Sequence, residues 1–297
     1  MIFIIITVRQ MKYIEPLFRP PAEADSLIFQ VAYGCPHNTC RFCGMYKTVK
    51  YRVRDRAEVL REFADAGKRY PNTQRIFLAD GDVMAFAFAE LREMLVELNR
   101  HFPSLSRVNI YANGSSIIAK TPDELRELRR LKLNTLYVGL ESGDQEILNL
   151  VNKQETVKAM VDGVNLAQAC GLKCSVMILL GLGGRQYSLR HAVKTAEALN
   201  AMQPRLLSAL RFIEIPGCSM YDGYQTATEY GAVEELKEII SRLELHKTVF
   251  RANHTSNPVP LAGRFPNDKP QLIAELDYLL SCHTLDCQGP GRQPLFL

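Results

Sequence analysis

The feature that most constrains the fold of this chain is a regular alternation of short apolar runs with longer amphipathic segments. Each apolar run is typical of a buried strand, and each amphipathic segment carries apolar residues at helical spacing. The pattern predicts six successive β–α units. The predicted strands are residues 27–33, 75–79, 107–112, 135–140, 174–180 and 205–213. The predicted helices are residues 55–70, 86–101, 121–131, 145–151, 156–169, 188–201 and 234–245.

Repeated β–α units imply a parallel sheet with right-handed crossovers. The alternation alone leaves open whether this sheet closes, or partly closes, into a barrel or forms a doubly wound sheet. After Phe250 the alternation stops, and residues 251–266 are irregular and rich in Asn, Pro and Gly. A last helix is predicted over residues 269–281, and we expect the polar tail from Cys282 to be mobile.

The composition is that of a globular protein with one large core, since 47% of the 297 residues are hydrophobic and 23% are charged. The net charge is only +4, with no basic run typical of a nucleic-acid-binding protein. No apolar run is long enough to span a bilayer. The apolar residues 1–8 are either a short strand or an upstream start, with Met11 the true first residue. A cytoplasmic protein is therefore the expectation.

Three of the eight cysteines lie within nine residues, directly after the first predicted strand. In a β–α fold this strand-to-helix loop is where active sites are placed. Cys35, Cys40 and Cys43 offer soft thiolates that suit an iron–sulfur cluster or zinc. In a four-iron cube, three thiolates leave one iron open to a substrate or cofactor. The alternatives are zinc completed by His37 or His101, and a closed electron-transfer cluster capped by His37.

The loop of residues 34–44, with Phe42 directly before the third cysteine, resembles the cluster motif of the radical S-adenosylmethionine (SAM) superfamily. The resemblance implies a [4Fe–4S] cluster held by Cys35, Cys40 and Cys43, with the open iron chelating SAM. In that family the reduced cluster cleaves SAM to a 5′-deoxyadenosyl radical, which abstracts hydrogen from a substrate. Most members have three residues between the first two cysteines. This chain has four, which indicates a subgroup.

The ends of later strands also resemble this family. Asp80, Gly81 and Asp82 look like the glycine–acidic element that accepts a hydrogen bond from the SAM amino group, although the sequence leaves open which carboxylate points inward. Taken alone, Asp-Gly-Asp is a turn signal. Asn113 ends the third strand, and Gly181 lies in a glycine-rich element like the one beside adenine in the family.

Glu141 and Ser142 end the fourth strand and resemble the branch that contains oxygen-independent coproporphyrinogen oxidases and methylthiotransferases. In that branch a polar residue here binds the ribose hydroxyls or the methionine moiety of SAM. A basic residue further along meets the SAM carboxylate, which makes Lys153 and Arg190 candidates. The structural alternative is helix capping by Ser142 or Asp144.

Residues 250–257 resemble the C-terminal signature of an uncharacterised group of stand-alone radical SAM proteins, which also shares residues 19–21 and the Asp-Gly-Asp turn. Arg251, Asn253 and His254 would face substrate, or the segment is a hydrogen-bonded surface loop. Residues 216–217, after the sixth strand, also resemble this branch.

The resemblance implies a partial (β/α)6 TIM-like barrel over residues 17–249, a covering segment and helix over 250–281, and a mobile tail over 282–297. It implies an enzyme with two cofactors, a [4Fe–4S] cluster and SAM. Its partners would be an unknown substrate and an electron donor such as flavodoxin or ferredoxin. The alternatives are a non-catalytic iron–sulfur protein and a zinc-binding module.

Overall fold

A computed structural model describes residues 13–214 and 219–291 of the chain, and its elements follow the predicted alternation. The strands are β1 (Leu27–Gln30), β2 (Ala32–Tyr33), β3 (Arg52–Val53), β4 (Arg75–Ala79), β5 (Arg107–Ala112), β6 (Leu133–Glu141), β7 (Lys173–Leu180), β8 (Leu206–Arg211), β9 (Val249–Ala252) and β10 (Leu261–Arg264). The helices are α1 (Arg56–Arg69), α2 (Phe88–His101), α3 (Gly114–Ile118), α4 (Pro122–Arg130), α5 (Gln145–Leu150), α6 (Val157–Ala169), α7 (Gly184–Met202), α8 (Glu229–Arg242) and α9 (Lys269–Ser281).

Eight strands form one sheet in the order β1-β4-β5-β6-β7-β8-β9-β10. Each neighbouring pair from β1 to β9 is parallel, and only β10 runs antiparallel to its neighbour. This mixed α/β architecture is the predicted partial TIM-like barrel. Because the parallel strands all point the same way, the loops that follow them meet at one end of the sheet.

The helices begin where the sequence supplies caps. The Asp55 side chain accepts the backbone N–H of Glu58 at the start of α1, and Thr121 does the same for Glu124 at the start of α4. Pro122 occupies the first turn of α4, where a missing N–H costs nothing. The predicted start of this helix is therefore confirmed, and the two caps fix the residues at which α1 and α4 begin.

The core lies between the sheet and the helices that cover it. Phe29 on β1, Phe63 on α1 and Phe102 after α2 are all fully buried. The rings of Phe29 and Phe63 meet edge-to-face, with 4.7 Å between centroids. Each such side chain contributes about 1.5–3 kcal/mol by leaving water. This packing fixes the first β–α unit, from which the cysteine loop projects.

The structure divides the predicted strand 27–33 into β1 and β2, and it adds β3, which the sequence pattern did not indicate. β2 and β3 close the neck of the cysteine loop. β2 and β3 pair antiparallel, with Ala32 opposite Val53 and Tyr33 opposite Arg52. Strands of two residues are too short to show a period. The pair brings the two ends of the loop together, so that residues 34–51 project as one closed loop.

The C-terminal part adds β9 and β10 to the edge of the sheet, within the region that the sequence presents as irregular. The loop between them leaves the carboxyl end of β9, which is the end that carries the cysteine loop. The amide of Asn257 donates to the carbonyls of Ala209 and Ala252 at 2.8 and 2.9 Å. The segment thus ties β8 to β9 through hydrogen bonds.

The polar tail, for which we predict mobility, forms hydrogen bonds with the barrel. Glu229 N–H donates to the carbonyl of Gly289 at 2.9 Å, and Arg185 donates to that of Gln288 at 2.5 Å. Residues 216–217 and both candidate start residues lie outside the described ranges. Among the described residues, no helix combines the length and the apolar character needed to cross a bilayer.

Candidate active site

A cavity opens where the cysteine loop covers the carboxyl ends of β4, β5 and β6. Its free space is about 710 Å³ when the open mouth is included. Seven of the predicted site residues line it, namely Cys35, Cys40, Phe42, Cys43, Gly81, Asn113 and Glu141. The structure therefore brings together residues that are more than one hundred positions apart in the sequence. The remaining predicted residues do not line the cavity, namely Asp80, Asp82, Ser142 and Gly181.

The cysteine loop is held in shape by its own hydrogen bonds. Thr39 N–H donates to the His37 carbonyl at 2.7 Å, and the Asn38 amide donates to the Tyr46 carbonyl at 2.6 Å. The Lys47 ammonium donates to the carbonyls of Asn38 and Cys40 at 3.1 and 2.8 Å. These hydrogen bonds hold together a loop that has no regular secondary structure.

Contacts with the rest of the barrel fix the position of the loop. Arg41 N–H donates to the Val151 carbonyl at 2.8 Å, and the Asn152 amide donates to the Thr39 carbonyl at 3.1 Å. On the other side, a Cβ added to Gly81 would lie 2.5 Å from the Cα of Cys35. Only glycine permits this approach of β4 to the first cysteine.

Burial favours the protonated form of the three thiols. It raises the pKa of Cys35 to about 11, and it also raises the pKa values of Cys40 and Cys43. Ligation requires thiolates, and bound metal supplies the positive charge that deprotonates them. Three sulfur donors at one cavity match the ligand set of an iron–sulfur cluster.

The two histidines considered as zinc ligands have other partners. His37 Nε2 lies 3.1 Å from Asp82 Oδ2, and His101 Nε2 lies 3.3 Å from Glu97 Oε2. His37 lines the cavity, whereas His101 ends α2. Within residues 13–214 and 219–291, no three His, Cys, Asp or Glu side chains converge on a point where one metal ion could sit.

Neither carboxylate of the Asp-Gly-Asp turn lines the cavity. Asp80 accepts hydrogen bonds from the Gln30 amide at 2.7 Å and from the Tyr46 hydroxyl at 3.0 Å. Burial raises the pKa of Asp80 to about 6, although these donors favour its charged form. Asp80 thus braces Tyr46, at the far side of the cysteine loop, against β1.

Asp82 joins three elements around the cavity. Its Oδ2 lies 3.1 Å from His37 and accepts the Asn113 amide at 3.2 Å, while its Oδ1 accepts the Ser116 hydroxyl at 2.9 Å. The turn therefore presents only Gly81 to the cavity, with one structural carboxylate on each side. This answers the question that the sequence left open about the two aspartates.

Glu141 and Lys153 form the charged wall of the cavity. Their side chains are 13% and 9% exposed, and Lys153 Nζ lies 3.8 Å from Glu141 Oε1. That distance exceeds hydrogen-bond range, and in the described part of the chain no hydrogen bond engages either charged group. Burial raises the pKa of Glu141, and the Lys153 charge opposes this rise. Both groups keep their hydrogen-bonding capacity for a ligand.

The local backbone accounts for this placement. Glu141 has φ +61°, a conformation that turns the strand end inward, and Gly139 leaves room for the carboxylate. A Cβ at Gly139 would lie 2.1 Å from Glu141 Oε1. Arg190, the other basic candidate, instead pairs with Asp144 and Glu146 at 2.7 Å each. The structure thus places Lys153, and not Arg190, at the cavity.

Ser142 and Gly181 belong to a buried network behind the Glu141 strand end. The Ser142 hydroxyl lies 2.8 Å from His191 Nδ1, and Gly181 N–H donates to Glu235 at 2.7 Å. Glu235 also accepts the Ser188 hydroxyl at 2.6 Å. Ser142 and His191 are fully buried. These residues tie β6 and β7 to α7 and α8, so they hold the carboxyl ends of β6 and β7 in place.

The sequence did not indicate the aromatic part of the cavity. Tyr46, Tyr111 and Tyr137 line it together with Met177. Tyr111 and Tyr137 are register partners on β5 and β6, and their ring centroids are 6.2 Å apart. Strand tyrosines are ordinary core residues, so only the alignment of adjacent strands could have revealed them.

A buried carboxylate lies beneath these rings. Glu23 is 1% exposed and accepts the Tyr137 hydroxyl at 2.5 Å and the Asn109 amide at 2.7 Å. It ends a 3-10 turn, Pro21–Glu23, which Pro20 precedes. The proline pair of residues 20–21 thus has a structural role, since it sets the turn that brings Glu23 under β5 and β6.

The fold and the cysteine loop together define a partial β–α barrel with three cysteine thiols at a cavity beside the carboxyl ends of its strands. Residues 29–196 match the family model described as the radical SAM superfamily. The chain belongs to the radical SAM superfamily, and its cofactors are accordingly a [4Fe–4S] cluster and SAM.

One curated relative is the uncharacterized protein MJ0966 of Methanocaldococcus jannaschii, which is 24% identical over 174 residues. The match covers 56% of this chain and 36% of that protein, so the chain spans about a third of the relative's length.

Solved structures share the fold at low sequence identity. Coproporphyrinogen III oxidase (HemN) from Escherichia coli gives a TM-score of 0.55 at 17% identity, covering 73% of this chain and 51% of that one. Methylornithine synthase (PylB) gives a TM-score of 0.52 at 13% identity, and the match covers 86% of this chain and 81% of that one. The hydrogenase maturase HydG from Carboxydothermus hydrogenoformans gives a TM-score of 0.51 at 17% identity, and the match covers 85% of this chain and 58% of that one. The predicted fold class is confirmed.

Proposed function

We propose that this protein is a SAM-cleaving enzyme whose cluster is held by Cys35, Cys40 and Cys43. The observation that carries the proposal is the single cavity in which these thiols meet Gly81, Asn113, Glu141 and Lys153. When bound, the reduced cluster supplies the electron that cleaves SAM to methionine and a 5′-deoxyadenosyl radical, which abstracts hydrogen from a substrate.

In this proposal the charged wall holds the methionine end of SAM. The Lys153 ammonium donates to the SAM carboxylate, because a carboxylate is its best acceptor and Lys153 has no other hydrogen-bonded partner in the described chain. Glu141 accepts from the SAM amino group or from the ribose hydroxyls. With one charge of each sign, the pair complements the zwitterionic end of an amino acid.

The remaining predicted residues act on SAM through the backbone and through positioning. The Gly81 backbone approaches the ligand because no side chain intervenes, and Asp80 and Asp82 hold that turn from both sides. Asn113 presents its amide beside this turn. Ser142 and Gly181 fix the ends of β6 and β7, and Phe42 packs at the cluster loop.

The substrate would enter against the aromatic side of the cavity. Tyr46, Tyr111 and Tyr137 offer ring faces there, while the hydroxyls of Tyr46 and Tyr137 donate to Asp80 and Glu23. Desolvation raises the pKa values of all three tyrosines, so their hydroxyls stay neutral. Arg251, Asn253 and His254, which the sequence suggested for substrate contact, are not among the residues that line the cavity.

Anaerobic reconstitution with iron and sulfide tests the proposal. The reconstituted protein should carry one [4Fe–4S] cluster and, with dithionite and SAM, release 5′-deoxyadenosine and methionine. A cluster without SAM cleavage would support the electron-transfer alternative. Tight binding of zinc with no iron–sulfur chromophore would support the zinc-binding alternative.

A further inference from the structure

One half of the barrel interior is covered by the residues that precede β1. Two of these residues, Tyr13 and Leu17, belong to an apolar cluster on the inner face of the sheet. The cluster includes Ile28 of β1 and Phe77 of β4. The Tyr13 hydroxyl also donates to the Ile28 carbonyl at 2.9 Å. The inner face of β1 and β4 is therefore occupied by the chain itself.

The other half of the interior, formed by β8, β9 and β10, is more open. Along each of these strands every second residue is buried, and the residues between them are half-buried or exposed. The buried set, which includes Leu207 and Phe250, belongs to the main core under the helices. The other set faces the barrel interior and consists of Leu206, Ser208, Leu210, Val249, Arg251, Ala262 and Arg264. It contains two arginines and no acidic residue.

The strand register places this open face beside the cavity. Met177, which lines the cavity, lies opposite Ser208, and Ser208 lies opposite Arg251. Register partners on neighbouring strands project from the same face of a sheet. Neighbouring strands are about 4.8 Å apart, so the Cα atoms of Met177 and Arg251 are separated by about 10 Å. Arg251 thus continues the layer of side chains that forms the cavity wall.

The second arginine lies diagonally across the pair of β9 and β10. Arg251 lies opposite Ala262, and Arg264 lies opposite Val249. Diagonal neighbours of this kind are about 7–8 Å apart, which is within the reach of long side chains. Two guanidinium groups at this spacing can therefore contact one ligand.

Neither arginine has an acidic partner. Within residues 13–214 and 219–291 no ion pair involves Arg251 or Arg264, and the Arg251 guanidinium donates only to the Phe250 carbonyl, at 3.0 Å. No hydrogen bond of the described chain engages the Ser208 hydroxyl. Like charges on neighbouring strands repel, so the two arginines destabilise this edge of the sheet unless an anion binds. We call this surface, formed by Ser208, Arg251 and Arg264, the arginine face.

We propose that the arginine face binds a phosphate or carboxylate group of the substrate. The inference rests on the proposed function, because the substrate is the molecule from which the 5′-deoxyadenosyl radical takes hydrogen. A guanidinium donates two parallel N–H groups to two oxygens of such an anion, and the Ser208 hydroxyl adds a further donor. A substrate anchored here extends across β8 to Met177 and so reaches the cavity.

The spacing also defines the kind of molecule. The anionic group lies at one end, and the reacting C–H bond lies roughly 10 Å away, at the cavity. Leu206 and Leu210 flank Ser208 on the same face, which favours an uncharged part between the two ends. A phosphate group carries a charge of about −1.5 to −2 near pH 7, so it balances two arginines better than a carboxylate does. The substrate class is therefore a small, elongated anion, and a phosphate ester fits best.

A structural role for the two arginines is the competing explanation. β10 is the last strand of the sheet, and charged residues on an edge strand discourage pairing with other chains. That role requires no ligand, so a measurement of anion binding separates the two explanations.

The first experiment labels the arginines of wild-type reconstituted protein with phenylglyoxal and quantifies each site by peptide mass spectrometry. Inorganic phosphate is the probe, with chloride at equal ionic strength as the reference and succinate as a carboxylate probe. We expect phosphate to slow the labelling of Arg251 and Arg264 several-fold. The controls in the same sample are Arg61 on α1 and Arg130 on α4, which are exposed, and their labelling should not change.

The second experiment measures the Kd for inorganic phosphate by phosphorus NMR titration. Arg251→Gln/Arg264→Gln should raise this Kd by about tenfold or more, because it removes hydrogen bonds to a charged group. The control Arg61→Gln/Arg130→Gln makes the same charge change and should keep the wild-type Kd. Arg251→Lys/Arg264→Lys keeps both charges without the planar fork, so its Kd should lie between the two. Thermal unfolding identifies a variant that fails to fold, and the lysine variant and the wild-type labelling then carry the test.

Failure of both probes to protect Arg251 and Arg264 would overturn the inference, and so would equal protection of all four arginines. The same Kd in the glutamine variant and its control would also overturn it, which would leave the edge-strand explanation. Stronger protection by succinate than by phosphate would support the inference with a carboxylate as the anion. Absence of SAM cleavage by wild-type protein with dithionite would instead refute the proposed function, whatever the anion measurements show. The two failures are therefore distinguishable.

Discussion

Replacing Lys153 with Met should weaken SAM binding strongly. The 3.8 Å between Lys153 Nζ and Glu141 Oε1 corresponds to an attraction of about 4 kcal/mol at an effective dielectric constant of about 20. That attraction holds the ammonium in the cavity, where it can meet the SAM carboxylate. A hydrogen bond to a charged group contributes about 1.5–3 kcal/mol. We therefore expect the Kd for SAM to rise roughly 10- to 150-fold.

The assay is equilibrium binding of SAM to the reconstituted protein, with thermal unfolding measured alongside. Lys153→Met also leaves the buried Glu141 carboxylate without its partner, which lowers stability. Lys153→Met/Glu141→Gln removes both charges, so it should recover stability but not SAM affinity. Arg190→Met is the control, because Arg190 pairs with Asp144 and Glu146 away from the cavity. Wild-type SAM affinity in Lys153→Met, or an equal loss in Arg190→Met, would refute the assignment.

Three further predictions concern the framework of the site. Gly81→Ala should lower the iron content of reconstituted protein several-fold, because its Cβ would lie 2.5 Å from the Cα of Cys35. The control Gly231→Ala should bind iron normally, because its Cβ would meet only Thr228 Oγ1 at 3.0 Å. Since the folded pKa of Asp80 is raised to about 6 from 3.8, its contribution to stability is complete below about pH 4 and is lost as the pH rises through 6. This contribution is about 3 kcal/mol, and urea unfolding of Asp80→Asn should lack that pH dependence. Glu235→Ala should lower the free energy of unfolding, measured by urea titration, by about 2–4 kcal/mol, because it leaves the Gly181 N–H and the Ser188 hydroxyl without acceptors. The control Glu234→Ala should have little effect in the same titration.

Much of the architecture could be predicted because each β–α unit leaves a local signal. The buried strand β4 and the cap at Thr121 are examples, since periodicity and capping act within a few residues. β3, and the break that separates β2 from β1 within the predicted strand 27–33, left no such signal, because the pairing of β2 with β3 depends on contacts made when the loop closes. The same holds for β9 and β10, whose alignment at the sheet edge is set by β8.

The site follows the same division between local and non-local information. The cysteines and Gly81 carry local signals, a motif and a strand end, and they line one cavity in the structure. The choice of Lys153 over Arg190 could not be predicted, because it depends on Asp144 and Glu146 lying beside Arg190. Nor could the sequence show that Asp80 and Asp82 turn away from the cavity, since their hydrogen-bond partners come from other strands and loops.

The most direct test of the central claim is the yield of 5′-deoxyadenosine from SAM in reconstituted Cys40→Ala, measured with dithionite under anaerobic conditions. Cys287→Ala is the matched control, because Cys287 is an exposed cysteine of the C-terminal tail. The account predicts that Cys40→Ala forms essentially no 5′-deoxyadenosine and loses the cluster absorbance, while Cys287→Ala retains both. Undiminished SAM cleavage by Cys40→Ala would contradict the assignment of the cluster to Cys35, Cys40 and Cys43.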